Sequence, residues 1–210
     1  MKNSFLVLAA GFLLLAALPA CRWQTTKTAL KQGEVLKASI ESFEKNRQLL
    51  STKLVNSLEE AEQSLTSENP NLPEVSKDFE IEWNNIQKRY DKLKTDFETV
   101  GKSSEDYFGK LNELSGSIGN ERLRKEELAK NAELRKRWEV SYKEAEVNIG
   151  KVTTVLEQGH DFHMVLVASS IRQKLEQNVE ELRNIAAQAK LLLADLEAFT
   201  QAGRQLVEGE

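Results

Sequence analysis

Two histidines flank an acid in His160-Asp161-Phe162-His163. Zinc accepts His nitrogen and Asp oxygen, so His160, Asp161 and His163 are the candidate metal ligands of the chain. They are also its only histidines, too few for a multi-histidine cage. The plainer reading makes Asp161 a helix N-cap between solvated histidines, and no metal is then expected. Glu157 and His160 have the Glu-x-x-His spacing of di-iron helix bundles, but that chemistry needs the motif on two helices. With only His163 left, a second motif cannot be made. Gly101-Lys102-Ser103 looks like the end of a phosphate-binding loop, yet Asp96 stands where the earlier glycine is required and no strand precedes it. No nucleophile elbow or isolated carboxylate pair stands out, because acids are spread along the whole chain. We therefore expect no catalytic residue and no cofactor: the chain reads as a non-enzyme.

The remaining reactive side chain is Cys21, the only cysteine, so an internal disulfide is impossible. It follows Lys2, an apolar run from Phe5 to Leu18 broken only by Gly11, and then Pro19-Ala20. This is the layout of a secretory signal. The run is shorter than the roughly 18 residues of a membrane span.

Leu18-Pro19-Ala20-Cys21 further resembles the lipobox of bacterial lipoproteins, in which the cysteine is lipidated with palmitate-type chains and becomes the mature N-terminus. Pro19 stands where a small residue is commoner. The resemblance implies a signal peptide over residues 1–20, a lipid-anchored tether over 21–26, and membrane attachment through Cys21. Several acyl chains hold firmly where one gives only marginal binding. Arg22, rather than Asp, after the cysteine implies the outer membrane, facing the periplasm. Trp23 is expected at the membrane interface.

The charge balance is 29 Lys+Arg against 33 Asp+Glu, a formal −4 that becomes −5 once residues 1–20 are removed. The apolar share falls from 40% to about 36% in the same step, lean for a compact globule and suited to an elongated one. Arg135-Lys136-Arg137 is short and interleaved with acids, so no nucleic-acid partner is expected.

The elements that carry these residues are legible from breaks and spacing. Pro70 and Pro73 mark one turn, Ser115-Gly-Ser-Ile-Gly-Asn120 a second, and Gly159-His160-Asp161 a third. These breaks predict four helices at about 27–67, 73–116, 121–157 and 162–206, within a bundle over 27–207. In the second, Phe79, Trp83, Ile86, Tyr90, Leu93, Phe97, Val100, Ser104, Tyr107, Leu111, Leu114 and Ile118 alternate four and three apart. That repeat predicts a narrow apolar stripe of coiled-coil type, running through Gly101 without a slip. Leu134 to Leu156 and Leu175 to Leu196 keep similar spacing, as do Leu36 to Leu54 with Arg47 among them. A basic start to the third helix facing an acidic end of the second argues that these two are neighbours. The expected fold is all-α, an elongated antiparallel bundle of four long helices with heptad packing.

The second half also resembles the lipobox-bearing helical proteins of Gram-negative bacteria grouped as domain of unknown function 2959. The resemblance lies in Asn120-Glu-Arg-Leu-Arg124, Ala145-Glu146, Val155-Leu156, His160-Asp161 and the heptads to Val207. The polar Lys-His-Asn-Leu-Asn stretch of that family is replaced here by Val167–Ile171. The resemblance implies architecture and location, and no activity. The expected role is a structural or protein-interaction module of the envelope, with envelope proteins or self-association as partners. The alternative is a ligand- or lipid-binding bundle with a cavity beside Gly150, Ala186 and Ala189.

Overall fold

A computed structural model describes the backbone of residues 17–172 and 179–208, with side chains from residue 26 onward. Four helices account for nearly all of it: α1 Ala17–Leu65, α2 Leu72–Gly116, α3 Glu121–Arg172 and α4 Val179–Glu208. No glycine or proline follows Pro19 until Gly33, so the helix propagates through the segment expected to be a tether. Residues 21–26 are thus part of a helix of 49 residues, about 74 Å long at 1.5 Å per residue.

The first two turns lie where the breakers put them. Pro73 occupies the first turn of α2, and the Asn71 carbonyl accepts its first backbone bond from Val75 at 2.9 Å. Asn120 caps α3, its Oδ1 accepting from the Leu123 amide at 3.1 Å. The third expected turn is overturned. The helix does not stop at 157–161 but runs on to Arg172, so Asp161 is no N-cap and Gly159 no helix end. Buried positions continue through it as Val152, Leu156, Gly159, Phe162, Leu166 and Ser169.

Each helix backbone runs beside two others, α1 beside α2 and α4, α3 beside α2 and α4, with no close backbone approach across either diagonal among the described residues. The pairs run antiparallel. Asn46 bonds Asp96 and Lys53 pairs with Glu82 between α1 and α2; Arg47 reaches the Leu193 carbonyl at 2.7 Å and Arg183 pairs with Glu62 at 2.6 Å between α1 and α4. Between α2 and α3 the polar contacts described are hydrogen bonds of neutral groups, to backbone and between side chains, the latter including Asn131 to Ser115 at 2.9 Å. Trp83 donates to the Leu156 carbonyl at 3.0 Å and Tyr90 to that of Ile149 at 2.9 Å.

The core is one continuous apolar column. Its middle is a cluster of rings drawn from every helix: Phe43, Phe97, Trp138, Tyr142 and Phe199, with Phe199 5.1 to 6.0 Å from each of the others. Arg47, a stripe position, is buried there as half of an ion pair. Its guanidinium forks onto Glu44 through two 2.7 Å bonds, and Thr200 donates to the same carboxylate at 2.9 Å.

Candidate functional site

The continuous helix disperses the candidate metal ligands. His160 and His163 lie about 60° apart round the helix axis, but Asp161 points about 100° from the first and 160° from the second, so the three do not converge. His160 and Asp161 are exposed, while His163 turns inward and stacks on Phe79 with ring centres 6.4 Å apart. Among the described residues no group of three or more His, Cys, Asp or Glu is placed to hold a metal. Gly101-Lys102-Ser103 lies inside α2, where the Ser103 hydroxyl is engaged by the Thr99 carbonyl at 2.8 Å. The side chains of Cys21 and Trp23 lie outside the described residues, as does the whole of Leu175. No described helix is long and apolar enough to cross a membrane.

Two surface grooves have a mainly apolar lining, and sequence reading marks neither. The first, about 360 Å³, lies between α2 and α3 on a floor of Phe108, Trp138 and Tyr142. Gly101 forms part of its wall, and a Cβ there would overlap the Tyr142 hydroxyl. Glu98, Glu105, Lys102 and Lys143 line its rim. Arg135 is held at one side by Glu139 at 2.8 Å, with its guanidinium 6.0 Å from the Phe108 ring. Burial pushes the Tyr142 phenol above its ordinary range, and Glu146, Glu98 and Glu105 add to the shift. Such a groove can seat a flat apolar body against the rings, with charge of either sign at its edge.

The second groove, about 430 Å³, opens at the end where α1 begins. Leu30 and Gly33 of α1, Leu111, Leu114 and Tyr107 of α2, and Val207 of α4 form its walls. The small residues expected to mark a cavity do not line either groove. Gly150 is exposed to open space, and Ala189 is packed to 1% exposure. The signals that point to the grooves are Gly101, through which the apolar stripe passes, and the outermost positions of the α2 stripe.

Comparison with protein-family models, with curated proteins and with solved structures gives no match.

Proposed function

We propose that the chain is a lipid-anchored module of a bacterial cell envelope, held at Cys21 and acting by structure or by contact with envelope proteins rather than by catalysis. The observation that carries this reading is the run Phe5–Leu18 followed by Leu18-Pro19-Ala20-Cys21, which sets the sole cysteine where a lipobox has it. The fold is compatible with that use: α1 continues as one helix from Ala17 to Leu65, so an anchor at Cys21 would be rigidly continuous with the bundle. The outer membrane, facing the periplasm, is the location that Arg22 favours. Intact mass of the protein extracted from membranes tests the anchor. A mature chain beginning at Cys21 and carrying acyl mass supports it; an unmodified thiol refutes it. Crosslinking in the native membrane tests the role, and failure to capture any reproducible neighbour counts against an interaction module.

The second reading, a ligand-binding bundle, has its own observation in the aromatic groove at Gly101. Native mass spectrometry of detergent-free protein would show a bound species, and Gly101→Leu would remove it by filling the floor.

A further inference from the structure

We infer that the end of the bundle nearest Cys21 is a lipid-contacting surface, seating on an anionic bilayer through the groove at Leu30, Leu111 and Leu114. The inference rests on the anchored reading and adds a protein surface to it. It starts from apolar surface at one end of the described bundle. There Lys37 of α1 donates to Glu208 of α4 at 2.7 Å, and from Lys37 back to Cys21 α1 covers 16 residues, about 24 Å, beside the end of α2. The α2 stripe becomes more exposed toward that end. Leu93 and Val100 are fully buried, whereas Tyr107, Leu111 and Leu114 of the same stripe are only half-buried. On α1, Leu30 is 67% exposed.

Apolar surface gathered in one place calls for a cover, and two observations select lipid as that cover. The first is position. Leu30 lies nine residues from Cys21 along one helix, about 14 Å, so a bundle held there and tilted toward its groove brings Leu30 to the headgroup boundary. The second is charge. Cys21–Lys37 carries Arg22, Lys27, Lys31 and Lys37 against Glu34 alone, net +3, whereas Ser57–Glu82 at the opposite end carries eight acids and Lys77, net −7. An anionic surface draws the first end and repels the second. A second copy of the chain would also cover the groove, but it would leave this polarity without a role.

The test uses the full chain, membrane-inserted through its own N-terminus in vesicles of phosphatidylcholine with or without phosphatidylglycerol. Single cysteines are added by Leu30→Cys and Leu111→Cys, with Gln63→Cys and Val147→Cys as exposed controls, and labelled with a polarity-sensitive fluorophore. Quenching by acyl-chain spin labels is expected to be several-fold stronger at positions 30 and 111 than at 63 and 147, and stronger with phosphatidylglycerol. Leu30→Cys, at an exposed position, carries the test should Leu111→Cys fail to fold. Probes at 30 and 111 as wet as the controls on a vesicle-bound chain overturn the seating and leave the anchor standing. A chain that washes off the vesicles overturns both. Shielding without quenching, together with a doubled molar mass, assigns the groove to a second copy and overturns the inference.

Discussion

The indole of Trp83 lies across Gly159: its N–H donates to the Leu156 carbonyl at 3.0 Å, and its ring fills the space that a Cβ on residue 159 would need. Glycine inside a helix ordinarily costs about 1 kcal/mol against alanine. At this position the sign reverses, since alanine must push a ring that is itself stacked on Phe79 at 5.2 Å. Gly159→Ala should destabilise the fold by about 1–3 kcal/mol, the usual range for overpacking. Gly150→Ala, in open space on the same helix, should stabilise it by about 0.5–1 kcal/mol. Urea midpoints followed by circular dichroism separate the two signs. Adding Trp83→Leu to Gly159→Ala should cost less than the sum of the single changes.

Continuity of α3 through residues 157–161 has a consequence for insertions. Two extra residues in a helix turn everything beyond them by about 200°, which carries an inward stripe to the outside. Gly-Ser inserted after Gly159 would therefore rotate Phe162, Leu166 and Ser169 out of the core and abolish cooperative unfolding. The same pair inserted after Asn69, in the turn between α1 and α2, lengthens a loop and should cost well under 1 kcal/mol. Equal tolerance at the two sites would restore the turn at 159–161.

That turn was misread because its chemistry is local and its true determinant is not. Gly-His-Asp has the composition of a helix end, as Pro70–Pro73 and Asn120 do where helices really end. At 159 the glycine answers a partner 73 residues away, Trp83, which no window on the sequence contains. The spacing Val152, Leu156, Gly159 was nonetheless unbroken, and it was the same signal that correctly carried α2 through Gly101. Arg47 was visible as an anomaly on an apolar stripe, but Glu44 one turn earlier was only half of its explanation; Thr200 and the Leu193 carbonyl come from α4. The groove at Leu30 is lined from α1, α2 and α4, a relation between helices that periodicity within each one does not contain.

The Gly101 groove should be readable from one phenol. Burial, then the carboxylates of Glu146, Glu98 and Glu105, raise the Tyr142 hydroxyl above the ordinary tyrosine value, and burial alone raises Tyr107. In an alkaline titration followed by phenolate absorbance, Tyr142→Phe should remove a component ionising above pH ~10, the model tyrosine value. Gly101→Ala forces the hydroxyl from its seat, so the same component should move toward the ordinary value while the fold stays helical. An unchanged profile in Gly101→Ala would show that residue 101 does not position the ring.

The buried pair Glu44–Arg47 sets how the bundle responds to acid. Burial works to raise the Glu44 carboxyl, but hydrogen bonds from Arg47, Thr200 and Gln48 outweigh it and hold the group below its ordinary value. A carboxyl depressed in the folded state stabilises fully above its unfolded value, near pH ~4.3, and that contribution is lost as pH falls through the lower folded value. Unfolding free energy should therefore decline below about pH 5, and less steeply in Glu44→Leu/Arg47→Met, which has no such group to protonate. At neutral pH, Arg47→Ala alone should cost about 3–5 kcal/mol, because it leaves the buried Glu44 carboxylate without its cation. The double variant removes both charges and keeps the volume, and the Thr200 hydroxyl retains the Leu196 carbonyl of its own helix at 3.5 Å. It should lie within about 2 kcal/mol of the parent in either direction, as buried pairs replaced by apolar side chains generally do. A double variant as unstable as Arg47→Ala would mean that the charges themselves, and not merely their pairing, hold α1 to α4.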